Sequence, residues 1–578
     1  MQTIRRIYLY VMSGIALGVI GVGLSMLLEV ILTSSGVLQH PFETFIGESR
    51  QRLSQAIALL GVGVPVWAAH WWFVQRGLSS TRPGHDDERG SAIRALYLSI
   101  VLLISLVSWV NGAIGLAQAV LANLFRVSPT FFIVDPVNAA TALSVGLGAW
   151  VFHGLVRRRD LAAGPAHEAA AWLPRLYLYG VALGALVVAA GALESIIVAL
   201  VSASPAEGDY QGVSLLGSSI TLVGWGIAWL GHWRYTSSLV AADDWRGSQE
   251  RLSRTRLAAL IATIFIAAGF TLTGIARTIE AFIRPVLGLE PGGNESWAGL
   301  IAAPLGIAVP WAIAWFAHAR WLHREPASAD ALRGTHVSRI ESHGVAAVAL
   351  AFGAVAFAWL LGLAMDTLFG GIRTSDPAGF PWRAEFATWL SMAVVGLAIW
   401  AWQWSIVVNR RRSDPEDEAN STIRRTFLYL TMAVALVAGL GSATVILYRV
   451  VGSLLGATLT GNAISELSTP LGAVLVAAAV LVYHGLQLRR DQTLRREAPA
   501  VSAPAAPAVS AAAAASISSA ADAVSPEPAR DGSARRAERD LVLVGPRGAD
   551  LDAALAAARA VLPEGIRLEE PSAEPEAV

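Results

Sequence analysis

Twelve stretches of this chain are apolar over about twenty residues, the length an α-helix needs to cross the hydrocarbon core of a bilayer. They fall at approximately 7–32, 56–75, 95–120, 139–156, 176–201, 214–233, 257–282, 298–318, 344–369, 387–408, 427–451 and 468–487. Inside lipid, only helices and closed barrels satisfy their own backbone hydrogen bonds. The ten-residue alternation of barrel strands is absent, so the chain is predicted to be an all-α polytopic membrane protein. Composition agrees: 54% of the 578 residues are hydrophobic and 15% charged, where soluble domains carry about 25% charged residues. The first run follows Arg5 and Arg6, as in a signal peptide. It is too long and lacks a small-residue cleavage site, so it is read as a retained first span.

The 43 basic residues are all Arg, and Cys is absent. That excludes disulfides, thiolate metal sites, Cys nucleophiles, Schiff-base lysines and the P-loop lysine. Arginine placement sets orientation, because Lys and Arg accumulate on the cytoplasmic side of spans. The N-terminus and the connections after even-numbered spans hold 28 arginines, and six lie on the opposite side. Both termini are therefore predicted to be cytoplasmic, in the inner (plasma) membrane.

The spans repeat. Every second one closes on a related segment: WAAHW (67–71), WVFHG (150–154), WLGHW (229–233), WFAHA (315–319), WAWQW (400–404) and LVYHG (481–485). The odd spans open on an Arg followed by an aromatic, as in IRRIYLY (4–10), IRALYLS (93–99), PRLYLYG (174–180) and IRRTFLY (423–429). The implied unit is a helical hairpin present six times in the same orientation, a parallel repetition unlike the inverted repeats of many transporters. The predicted transmembrane domain spans 1–492, with hairpins at about 1–80, 88–162, 172–240, 250–326, 336–413 and 421–492.

Tandem hairpins that open with Arg-x-x-Tyr-Leu-Tyr and close with Trp-x-x-His-Trp resemble an uncharacterised bacterial integral-membrane family, domain of unknown function 5671. The resemblance covers about 1–492 and is clearest in 1–160 and 172–240. It weakens in 250–410, where Gln403 replaces His. It implies membrane location and the hairpin fold, and no catalytic residue.

Two sets of recurring side chains are candidates for function. Trp67, Trp150, Trp229, Trp315 and Trp400 stand three residues before His70, His153, His232, His318 and Gln403, and His484 completes the series. Positions i and i+3 share a helix face. The plain reading is an anchor: Trp sets helix depth at the interface and hydrogen-bonds to the neighbouring hairpin. The alternative is a set of His ligands for haem or metal; because Gln403 breaks the set, no cofactor and no metal are expected. Glu29, Glu194, Glu280 and Asp366 recur near the outer ends of odd spans. Ionisable groups in spans are candidate ion or solute contacts; the plainer reading is that these acids lie at the interface and are solvated, with Arg277 placed to pair with Glu280.

Residues 493–538 are rich in Ala, Pro and Ser and read as a disordered linker. Beyond it, LVLVG (541–545), a helical pattern at 550–562 and IRLEE (566–570) suggest a small βαβ-like element over 539–570, followed by a disordered tail at 571–578. The expected partners are the lipid bilayer and a cytoplasmic protein or a second copy bound through 539–570, with no nucleic acid. Three classes stay open: a non-enzymatic membrane scaffold or sensor, a transporter or channel for a small solute or ion, and a haem- or metal-binding redox protein. No catalytic motif is present. A reporter fused after Gln492 is expected to read as cytoplasmic; an extracytoplasmic signal contradicts the predicted topology.

Overall fold

The computed structural model describes residues 2–38, 48–78, 88–125, 135–162, 168–202, 208–289, 297–324, 331–369, 381–455 and 463–497. The linker expected from residue 493 begins later than that, because the last helix continues to Glu497; the rest of that linker, the βαβ-like element and the tail at 571–578 lie outside the described residues. Among the described residues there are fourteen helices and no strands. Four form the first unit: α1 (Gln2–Ser34), α2 (Glu48–Gly77), α3 (Ala92–Leu124) and α4 (Pro136–Ala162). The second unit holds α5 (Glu168–Val201), α6 (Gly208–Ala241), the short α7 (Trp245–Arg251), α8 (Arg254–Val286) and α9 (Trp297–Arg324). The third holds α10 (Ala331–Phe369), α11 (Pro381–Ser413), the short α12 (Pro415–Asn420), α13 (Thr422–Leu454) and α14 (Ala463–Glu497).

The twelve long helices are each apolar and long enough to cross a membrane. A helix of 33 residues such as α3 is about 50 Å long, against about 30 Å of hydrocarbon. The excess carries the arginines beyond the apolar zone. Outward-facing residues such as Ile57, Val62, Ile104, Val223, Ile313 and Val437 are well exposed. So continuous an apolar surface suits lipid and not water.

Consecutive long helices pack as six hairpins: α1 with α2, α3 with α4, α5 with α6, α8 with α9, α10 with α11 and α13 with α14. Above the hairpin there is a second level of order. The first long helix of each unit closes against the last, α1 on α4, α5 on α9 and α10 on α14. Neighbouring units join through the third long helix of one and the first hairpin of the next: α3 meets α5 and α6, and α8 meets α10 and α11. One apolar cluster, including Leu106, Val110, Tyr177, Val181 and Trp225, fills the first junction. Another, including Ile264, Trp311, Trp315, Leu322 and Val345, links the second unit to the third.

With lipid outside, water-driven burial contributes little between helices, and close backbone approach matters instead. Glycines sit at the tightest crossings. A Cβ on Gly396 would lie 2.6 Å from the Gly353 Cα, and one on Gly112 would lie 2.9 Å from the Leu143 Cα. Gly148, by contrast, has open space where its Cβ would be. Gly396→Ala is expected to cost about 1–3 kcal/mol by overpacking, whereas Gly148→Ala is expected to be neutral or slightly stabilising through helix propensity. Thermal unfolding of the purified protein in detergent checks both; equal effects would contradict the packing.

Candidate functional site at the arginine-rich end

The opening and closing motifs of a hairpin meet. Tyr8 Oη lies 3.4 Å from His70 Nε2, Tyr97 Oη 3.2 Å from His153 Nε2, and Tyr177 Oη 3.5 Å from His232 Nε2. In each ring Nδ1 lies 2.7–2.9 Å from the carbonyl oxygen four residues earlier. A carbonyl only accepts, so Nδ1 must donate, and Nε2 of the neutral ring is left to accept from the tyrosine hydroxyl. His318 and His484 make the same backbone bond, to Ala314 and Val480. Each histidine is thus committed to its own helix. No group of three metal-ligating side chains occurs among the described residues.

The signature tryptophans pack both within their own helix and against neighbouring ones. Trp150 donates to Tyr177 Oη of the next hairpin at 3.3 Å. Trp67 stacks on Trp71, and Trp400 on Trp404. Trp229 lies 6.2 Å from Trp321, and Trp315 is buried in the junction between the second and third units.

The larger construction lies one step along the chain. The segments ERGSAIR (88–94), ERLSRTR (250–256) and EANSTIR (418–424) share the pattern Glu-x-x-Ser-x-x-Arg, once per unit. The serine is the N-cap of the unit's third long helix. Ser253 Oγ accepts from the Arg256 amide at 3.3 Å, and Ser421 Oγ from the Arg424 amide at 3.4 Å. Such a cap satisfies an orphan amide of the first turn. It also fixes the turn, so the preceding Glu and the following Arg reach back to the unit's first hairpin.

In the first unit Glu88 accepts from Arg6 Nε at 2.7 Å and from Tyr10 Oη at 3.0 Å. Arg94 donates to Tyr10 Oη at 3.1 Å and clasps Asp160 at 2.7 and 3.0 Å. The second unit repeats this: Glu250 accepts from Arg175 at 2.8 Å and Tyr179 at 2.5 Å, and Arg256 reaches Tyr179 at 2.9 Å. In the third, Arg339 binds Glu418 at 3.0 Å and also Asp417, and Arg424 binds Asp491 at 2.7 Å. Each repeated arginine also lies over a tryptophan ring: Arg94 over Trp71 at 5.9 Å, Arg256 over Trp233 at 5.7 Å and Arg424 over Trp404 at 5.6 Å. A desolvated cation–π contact contributes about 2 kcal/mol.

These tryptophans are the last letter of WAAHW, WLGHW and WAWQW; the alternate hairpins end in Gly or Ala. The two-hairpin period was therefore written in the closing motif. Aligning on a one-hairpin period hides it, together with the Glu-x-x-Ser-x-x-Arg pattern.

The third unit departs from the other two. His343 stands where Tyr10 and Tyr179 stand, and Phe427 where Tyr97 stands. His343 Nε2 faces Glu418 Oε1 at 3.7 Å, and neither buried atom has a hydrogen-bond partner. The Arg424 Nη atoms are also without one, as is His484 Nε2. The cause at His484 is a missing hydroxyl: the Phe427 and His484 rings are 5.8 Å apart, the same separation as Tyr97 and His153.

The outer acids do not converge. Glu29 pairs with Arg52. Glu280 accepts from Thr388 at 2.8 Å and lies 3.6 Å from Arg284, its neighbour at i+4, in place of the expected Arg277. Glu194 packs against Gly306 of α9. Asp366 is half-buried near the end of α10.

Fold and site together define a multi-pass integral membrane protein made of three tandem four-span units, each clamped by a buried ionic cluster. Residues 6–142, 175–313 and 339–479 match the family model described as Domain of unknown function (DUF5671). The chain belongs to this family. The three matches begin at Arg6, Arg175 and Arg339, the arginines that bind the repeated glutamates. No curated protein matches the chain, and no solved structure does.

Phe427→Tyr is expected to give His484 Nε2 the donor it lacks and to stabilise the protein by about 1 kcal/mol. Thermal unfolding in detergent measures this, with Phe427→Tyr in a His484→Leu background as control. A gain that persists without His484 would contradict the assignment.

Proposed function

We propose that the protein is a non-enzymatic membrane scaffold of the inner (plasma) membrane, with both termini cytoplasmic. Its membrane domain is a fixed platform, and its tail beyond residue 497 carries the cytoplasmic interaction element at 539–570. The observation that supports this reading is how buried charge is spent. Arg94, Arg256, Arg424, Glu250, Glu418 and Asp491 are all buried, and each bonds to a side chain of its own unit. Transport needs charges or polar groups that line a path. Here they join helix to helix, and the outer acids Glu29 and Glu280 are each held by local partners.

Reconstitution tests the reading. Proteoliposomes holding the full chain are expected to pass protons and monovalent cations no faster than protein-free liposomes. A flux that falls in the quadruple variant Glu29→Gln, Glu194→Gln, Glu280→Gln, Asp366→Asn would overturn the scaffold in favour of a transporter or channel.

A further inference from the structure

The junction between the first and second units encloses a cavity of about 590 Å³. Leu106 and Trp109 of α3, Trp150 of α4 and Ile227 of α6 form its apolar wall. Arg157 and Arg158 line it toward the arginine-rich end. Its rim includes Val151, Leu155 and Ile227, all outward-facing and exposed, so it opens sideways onto the apolar surface of the bundle.

Arg157 is poorly satisfied by the protein. It donates one long bond, 3.4 Å to the Pro174 carbonyl, and lies over the Tyr177 ring at 5.3 Å. Among the described residues no carboxylate pairs with Arg157 or Arg158. A cation lining an apolar cavity is costly without a counter-charge.

The second junction shows how the same positions look when the chain closes them itself. Counting from the repeated histidines His153, His318 and His484, Arg157 corresponds to Leu322 and Leu488, which are both buried core residues. Arg158 corresponds to His323, and Tyr177 to Glu341, and these two pair at 2.6 Å. The second junction thus has a leucine and an internal ion pair where the first has two guanidinium groups without a carboxylate partner among the described residues, and an open cavity.

We propose that this cavity binds one anionic phospholipid, its phosphate held by Arg157 and Arg158 and an acyl chain lying along Leu106, Trp109, Trp150 and Ile227. Basic pockets between spans take such headgroups, and arginine suits a phosphate oxygen pair. The lateral opening admits a chain that never leaves the bilayer.

Native mass spectrometry of the full chain in detergent, offered equal dioleoyl phosphatidylglycerol and dioleoyl phosphatidylcholine, tests this. The intact protein is expected to retain one phosphatidylglycerol with about tenfold preference, in line with the attraction of two arginines for an anionic lipid. Arg157→Leu, which installs the residue used by the other two units, combined with Arg158→Ala, is expected to abolish the preference. Gly154→Leu fills the cavity without altering charge, since Gly154 has open space where its Cβ would be; it is expected to lower retention of both lipids. Arg489→Ala, the third-unit counterpart of Arg158, is expected to change nothing. Equal retention of the two lipids by the intact protein, or a preference that survives both cavity variants, overturns the proposal. So does an Arg489→Ala effect as large as that of the double variant, which would signify general surface charge. Full displacement by millimolar glycerol 3-phosphate would assign the site to a free phosphate and likewise overturn the lipid as its occupant.

Discussion

A guanidinium group buried at the first turn of a membrane helix is the constraint on which this architecture depends. Arg94 and Arg424 are each only 1% exposed. Removing such a charge from water costs several kcal/mol and is offset only by close, well-oriented partners. The first unit supplies them from three directions: the Asp160 carboxylate, the Tyr10 hydroxyl of the first helix and the Trp71 face of the second. Arg256 meets the Tyr179 hydroxyl and the Trp233 face, and Arg424 the Asp491 carboxylate and the Trp404 face. These partners come from helices that share no turn, so the arginine cannot be satisfied until both hairpins of a unit have docked. In the second and third units the Ser253 and Ser421 caps tie down the turn between the glutamate and the arginine; Ser91 stands at the same N-cap position without that side-chain bond. The clamp therefore links local structure to tertiary order more strongly than the apolar faces, which are nearly indifferent to whether they meet lipid or another helix.

The clamp also explains why the bundle holds so many polar groups without forming a path. The histidines, tyrosines, arginines and acids at the arginine-rich end bond to one another in short, mostly closed sets. At the other end Glu29 and Glu280 sit beside their own local partners. Where the pattern is imperfect, the imperfection is local. The third unit has His343 where the other two have tyrosine, and Phe427 where the first has Tyr97, and is left with unpartnered atoms at Glu418, Arg424 and His484. The first junction keeps Arg157 where the other units have leucine. These two departures are where the chain has something to gain from a proton, a water or a lipid, and the second is the one with room for a ligand.

Most of the fold was legible in the sequence. Twenty-residue apolar runs gave the twelve helices, and the recurring Trp-x-x-His gave the hairpins, because both signals arise from period and length. The site was harder to see. Trp67 and Trp150 stand out because their position is Trp in five of the six copies, yet the rings under the buried arginines are Trp71, Trp233 and Trp404, which recur in every second copy. The glutamates 88, 250 and 418 lie in connections, outside any span, and look like ordinary interfacial charge until the fold brings them to Arg6, Arg175 and Arg339. Spacing alone offers Arg277 as a partner of Glu280, and Arg284, four residues after Glu280 on the same helix, takes that place. Pairings inside one helix follow from spacing; pairings between hairpins do not.

The central claim is that the buried arginine and its carboxylate stabilise the unit as a pair. A double-mutant cycle on Arg94 and Asp160, read as unfolding free energy of the full chain in detergent, tests it most directly. Arg94→Leu and Asp160→Leu are each predicted to cost about 3–5 kcal/mol, because each strands a charge. The double variant is predicted to cost little more than either alone, giving a coupling of roughly 2 kcal/mol or more. Additive losses, with no coupling, would contradict the account.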